Sequence, residues 1–245
     1  TLTLRNTGTD CYMIAAMNLI FSVPVLKNGI IAAAPLLEEA GQLSARMMEV
    51  VEILKGNRTD VIGLRTAASF PIDWGDARDS FYPMLQDFPE AYYENCTLIV
   101  TVKLSCPNSH VSVELPDTMF KIRLEAQKLP LGYESGTIED IYKKTCISEV
   151  ICEQCGAGIS EADVAVEASG SLVIVEVNRS VYNGLVRQAD RPLRIDGCHA
   201  KRMKVFGTPM RMVACMQHIA WDNGDRGHYV VWRRSSSGAG WVIID

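Results

Sequence analysis

The chain has 245 residues, 48% of them apolar and 22% charged, with a formal net charge of −5. That length admits one large domain or two small ones around a real core, and the composition is that of an ordinary soluble globular protein. The acidic balance argues against a nucleic-acid partner and favours a basic one. No membrane partner is expected. The most apolar stretch, 11–37, is broken by Asn18, Pro24, Lys27, Asn28 and Pro35, and it makes a poor signal peptide.

The first predicted helix covers 11–23, with apolar side chains at 13, 16, 17, 20 and 21, and Pro24 ends it. It is preceded by Asn6-Thr7-Gly8-Thr9-Asp10, in which a glycine turn delivers Cys11 to the first helical turn. A thiol there meets unpaired N–H groups and the positive end of the helix dipole, both of which favour the thiolate. The Asn6 amide, five residues upstream, has the chemistry to donate to an oxyanion. The competing reading is a small buried cysteine that starts a core helix.

A second helix fits 36–55, with Leu36, Leu37, Ala40, Leu43, Met47, Val50, Val51 and Leu54 on one stripe and a stop at Gly56-Asn57. A third covers Asp76 to Gln86, so the first ninety residues read as mainly α. The pattern then turns to alternation over 97–104, 110–115, 118–124, 162–166, 171–177, 202–206, 210–220, 227–233 and 241–244, with turn residues between. Helices first and strands later predict an α+β fold. The tract 235–240 reads as a loop.

Eight cysteines lie at 11, 96, 106, 146, 152, 155, 198 and 215. The chain is too long for a disulfide-held secreted scaffold, so a reducing compartment, cytoplasmic or nuclear, is the expectation. Cys152-Glu153-Gln154-Cys155 reads as a metal knuckle. Near the end, Gly227-His228-Tyr229-Val230-Val231-Trp232 and Trp241-Val242-Ile243-Ile244-Asp245 read as a β-hairpin. Its histidine and carboxylate are the partners that a nucleophilic cysteine needs: a base for the thiol proton and an acid to orient the ring. The competing reading of His228 is a half-buried strand histidine.

Taken together, Asn-x-Gly-x-x-Cys-Tyr-Met near the start and Gly-His-Tyr-x-x-Trp with Trp-x-x-x-Asp at the end resemble the ubiquitin-specific proteases. These are papain-like cysteine proteases with a helical thumb, a β-sheet palm and β fingers. The resemblance places the nucleophile at Cys11, the oxyanion amide at Asn6, the general base at His228 and the orienting carboxylate at Asp245. Gly75-Asp76-Ala77-Arg78-Asp79-Ser80-Phe81 resembles the family's Gln-Asp-Ala-His-Glu-Phe box, which assigns Asp76 and Asp79 to the basic C-terminal tail of ubiquitin. Leu172 to Arg179 and Met212 to His218 resemble two family strands, the first with Ser180 in place of Phe.

The family's fingers often hold zinc between two knuckles. The resemblance therefore assigns Cys106, His110, Cys152 and Cys155 to a structural zinc, against the alternative of a decayed site with buried thiols. Catalysis itself implies no cofactor. The implied organisation is one catalytic domain over 1–245, with thumb 1–94, abbreviated fingers 95–170 and palm 171–245. The implied activity is hydrolysis of the isopeptide or peptide bond after the terminal Gly-Gly of ubiquitin, through a thioester. A protease for another ubiquitin-like modifier, or a catalytically weak ubiquitin-binding module of the same fold, stand as alternatives. Ile14 and Asn18 depart from the family's Cys box. Asp10 brings a charge beside the nucleophile that opposes thiolate formation unless it points away or pairs.

Overall fold

The computed structural model describes residues 2–6, 9–70, 75–114, 116–168, 170–183, 186–198, 202–221, 226–235 and 240–245. They divide into two compact units, one made of 1–95 with 213–245 and one of 96–212. Helices precede strands and several small sheets follow, so the fold is α+β.

The first unit begins with α1 (Cys11–Ser22), α2 (Pro24–Glu39), α3 (Ala45–Lys55), α4 (Ile62–Ala68), α5 (Ala77–Gln86) and α6 (Pro89–Cys96). The expected single helix over 36–55 is two helices, and Pro24 opens α2 rather than merely closing α1. Proline suits the first helical position because its missing N–H would have no partner there. The break before α3 falls where Gly41 takes φ 67° and Ser44 caps the next helix, accepting from the Met47 N–H at 3.2 Å. The expected stop at Gly56 holds: it sits in the left-handed region at φ 84°.

α1 is buried nearly all round, with Tyr12, Met13, Ala16, Met17 and Ile20 each at 2% exposure or less. That burial explains why its sequence is too uniformly apolar for a clean stripe. α1 and α2 meet at 94°, and among the described residues no single helix is long and apolar enough to cross a membrane.

The second unit is built on β1 (Leu98–Ser105), which pairs antiparallel with β2 (Val111–Val113), β3 (Asp117–Met119) and β6 (Glu161–Ala168). Its alternation puts Leu98, Val100, Val102 and Leu104 inward. Between these strands come β4 (Ile122–Glu125), β5 (Ser135–Gly136) and α7 (Ile138–Ile147), a helix with a Thr137 cap that the sequence reading missed. Ile138, Ile141 and Tyr142 of α7 complete the core with Ile122, Leu124 and Val164.

β7 (Val175–Asn178) pairs parallel with β4, so residues that follow 171 group with this unit rather than with the terminal strands. The hairpins β8 (Ser180–Asn183) with β9 (Val186–Asp190) and β11 (Met203–Val205) with β12 (Thr208–Met210) flank β10 (Arg194–Ile195), which pairs with β5.

The first unit closes with an antiparallel meander of β13 (Ala214–Trp221), β14 (Arg226–Arg234) and β15 (Trp241–Ile244). α1 lies on this meander, where Ala15 packs on Val231 and Ile244, flanked by Leu19, Met216 and Tyr229.

Candidate active site and metal centre

α1 places its first residue at the start of β14. Cys11 is 6% exposed, and the backbone N–H of Tyr229, the residue after His228, reaches its sulfur together with the N–H groups of Tyr12 and Cys11 itself. These amides favour the thiolate, as the helix start predicts. Burial nevertheless dominates and pushes the thiol up, and the Asp10 charge contributes last in the same direction.

The predicted conflict at Asp10 is eased by an ion pair. Its carboxylate is fully buried and takes no part in capping α1. It turns to α4, where Arg65 Nη1 donates to Oδ1 at 2.6 Å. Thr7 and Gly8 of the expected glycine turn lie outside the described residues. Asn6 is exposed, on the segment whose Arg5 N–H bonds the Thr59 carbonyl at 2.7 Å.

The terminal meander brings the other two predicted triad members together. Val231 pairs with Ile244, so Asp245 falls opposite Val230, and His228, two residues before Val230, is its diagonal neighbour on the same face. His228 Nε2 donates to Asp245 Oδ1. An ionised carboxylate can only accept, so in the neutral imidazole this bond selects the tautomer with its proton on Nε2 and the lone pair on Nδ1. The His228 side chain is 26% exposed and that of Asp245 67%.

The strand start tolerates no side chain before His228. A Cβ on Gly227 would lie 2.3 Å from His218 Nε2 and 2.5 Å from the Ile219 carbonyl oxygen. His218, on β13, faces Tyr229 across the pairing, with ring centroids 4.6 Å apart. The Tyr229 hydroxyl is pushed up to about 12, first by burial and then by the nearby Asp76 charge, while the Ala77 backbone N–H pulls it down.

α5 thus lies beside the same site, and it is fixed there by a tight approach: a Cβ on Gly75 would lie 2.9 Å from the Tyr12 ring. Asp76 is the N-cap of α5 rather than part of its face. Its Oδ1 accepts from the Arg78 backbone N–H at 2.8 Å and its Oδ2 from Arg78 Nε at 2.9 Å. Burial opposes ionisation of Asp76, but the bonds from Arg78 outweigh it and hold the carboxyl below its usual range. Asp79 is exposed in the first helical turn, and its carboxyl is raised by partial burial and by Asp76. The two acids therefore do not form an open pair, because Arg78 already binds one of them. Sequence reading missed Arg65, Arg78 and the Tyr229 amide. Only Arg78 gave a local signal, as a base two residues after a capping acid.

In the second unit, the predicted ligands converge. The ligand atoms of Cys106, His110, Cys152 and Cys155 all lie within 4.8 Å of one another. Cys106 Sγ is 3.7 Å from Cys155 Sγ, and Cys152 Sγ is 3.6 Å from His110 Nδ1. Each knuckle is a tight turn: Ser109 N–H bonds the Cys106 carbonyl and takes φ 64°, and Gly156 N–H bonds the Cys152 carbonyl and takes φ 70°. The extra residues of the first knuckle are absorbed in that turn, which returns His110 to the cluster by the Cys106 N–H bond to its carbonyl at 3.1 Å. Three sulfurs and one imidazole at these separations could hold a structural metal.

No family model matches the chain, and no curated protein matches it. Among solved structures, the chain is similar over its whole length to a yeast SAGA DUB module carrying a mutant Sgf73, with a TM-score of 0.65 and 11% identity. A SAGA DUB module of Ubp8, Sgf11, Sus1 and Sgf73 bound to monoubiquitin matches with a TM-score of 0.63, again at 11% identity. The fold is that of the ubiquitin-specific proteases. The chain covers 63% of the length of each matched chain. The α+β arrangement expected from the resemblance is therefore present, at 11% identity to these solved structures.

Proposed function

We propose that the chain is a cysteine protease that hydrolyses the bond after the C-terminal Gly-Gly of ubiquitin or a ubiquitin-like modifier. The observation that carries this reading is the His228–Asp245 bond on the strand whose next amide reaches the Cys11 sulfur. Cys11 Sγ attacks the scissile carbonyl as His228 Nδ1 takes the thiol proton. The same proton goes to the leaving amine as the C–N bond breaks, and water then resolves the thioester. Asp245 holds the ring in the tautomer this requires. The first-turn amides of α1, with Asn6 as a side-chain donor, stabilise the oxyanion.

In this reading the helices of the first unit are the thumb and β13–β15 belong to the palm. The second unit carries the fingers, with zinc held by Cys106, His110, Cys152 and Cys155. The monoubiquitin bound to a similar module supports ubiquitin as the modifier. The internal Asp76–Arg78 pair favours the second reading, another ubiquitin-like modifier, because it removes one open acid from a tail-binding pair.

A ubiquitin probe with a C-terminal electrophile should label the wild type at Cys11, and Cys11→Ala should lose the label while keeping the fold. Labelling that persists in Cys11→Ala refutes the nucleophile. A panel of modifier probes separates the two substrate readings. Binding of ubiquitin with no turnover of a ubiquitin–fluorophore substrate would leave a binding module instead.

A further inference from the structure

A buried carboxylate next to a nucleophilic thiol needs a reason. Asp10 occupies the N-cap position of α1, where an aspartate ordinarily accepts from the amides of the first turn. Here it makes no such bond, although its backbone carbonyl still accepts from the Ile14 N–H at 3.0 Å. The side chain is wholly buried and reaches instead to Arg65, 55 residues later in the chain, at 2.6 Å. The amides of Cys11 and Tyr12 meanwhile face the Cys11 sulfur.

We propose that Arg65 is a positioning residue for Cys11: it draws the Asp10 carboxylate off the first-turn amides of α1 and offsets its charge, which leaves those amides to the sulfur. This rests on the reading of Cys11 as the nucleophile. Without the guanidinium, the Asp10 carboxylate loses the positive charge that offsets its own beside the thiol and the contact that draws it away from the first-turn N–H groups.

Other ionisable groups also lie on the elements around Cys11, and one of them, Tyr12 on α1, feels the pair directly: burial and Asp10 raise its hydroxyl and Arg65 lowers it. The others are Asp76, Arg78 and Asp79 at α5, His218 on β13, His228 and Tyr229 on β14, and Asp245 on β15. Lys27 on α2 lies over the Phe21 ring. On α3, Arg46 binds Asp87 and Glu49 binds Arg58.

The test is the rate at which iodoacetamide alkylates Cys11, read on the Cys11 peptide by mass spectrometry between about pH 6 and 9. Arg65→Gln should slow alkylation about threefold at neutral pH and displace the profile to higher pH. Asp10→Asn, which keeps an acceptor for Arg65 and removes the negative charge, should speed it and displace the profile to lower pH. The double variant should return close to wild type. General damage to the fold moves both single variants the same way, so a common direction overturns the proposal, as does an unmoved profile or a double variant that stays shifted. Where Arg65→Gln does not fold, Asp10→Asn and the neutral double variant still decide. Alkylation needs no modifier. Opposite shifts with no probe labelling therefore refute the protease and spare this role, and labelling without the shifts does the reverse.

Discussion

Burial holds the Cys11 thiol above its ordinary range, so at neutral pH the resting protein carries it mostly as the thiol. In the proposed mechanism the rate then depends on proton removal by His228, and kcat/KM for a modifier–fluorophore substrate should climb as pH rises above neutrality. His228→Ala should lower kcat by about 10²–10⁴-fold, because general-base help is of that size. Asp245→Asn should lower kcat with little change in KM, since an amide can present its NH2 to Nε2 and reverse the tautomer. Steady-state kinetics across pH check all three. At this scale Cys11, His228 and Asp245 were legible because each sits in a short local motif at the edge of an element. The Asp10–Arg65 pair was not, because an ion pair between an N-cap and a short helix 55 residues away leaves no period or spacing to read.

The Asp76 cap shows how the reading of an element can mislead about a residue. The helix expected over Asp76 to Gln86 takes in Asp76, whereas α5 starts at Ala77 and Asp76 stands outside it as the cap. Asp76→Ala removes the cap and should destabilise the protein by about 1 kcal/mol, read as a lower Tm. The sign with pH follows from the depressed carboxyl: the contribution is present above about pH 4, the unfolded value for Asp, and is lost as pH falls through the lower folded value. Asp76→Ala should therefore lose stability at pH 7 and lose none at strongly acid pH. Arg78→Ala should free Asp76 for a basic tail and raise the preference for ubiquitin over modifiers with fewer arginines in the tail, read as a ratio of kcat/KM values. β1 and the terminal hairpin were readable from their alternation, and α1 from its long apolar run closed by Pro24. The junction between α2 and α3 was not, since the apolar stripe runs on past a break set by Gly41 and Ser44. The short α4 and the amphipathic α7 were missed among stronger patterns.

As a whole, the molecule keeps its candidate triad within one unit and its candidate metal cluster within the other. If zinc is held by Cys106, His110, Cys152 and Cys155, purified protein should contain one equivalent, and Cys152→Ser should abolish it, as metal analysis would show. A strong chelator should lower Tm, because metal-binding energy in such sites is folding energy. The overall α+β order was legible because helices and strands are segregated along the chain. The grouping of the stretch after 171 was not, because the parallel pairing of β7 with β4 joins segments some fifty residues apart. One local crossing bears on how this molecule can vary. Gly227 has no room for a Cβ because the backbone of β13 lies against it. In a library of all single substitutions scored only for protein abundance, position 227 should be as intolerant as the buried core, even in a Cys11→Ala background. The glycine beside His228 is thus demanded by the sheet, and its presence in any related sequence reports on strand packing whether or not the protein turns over.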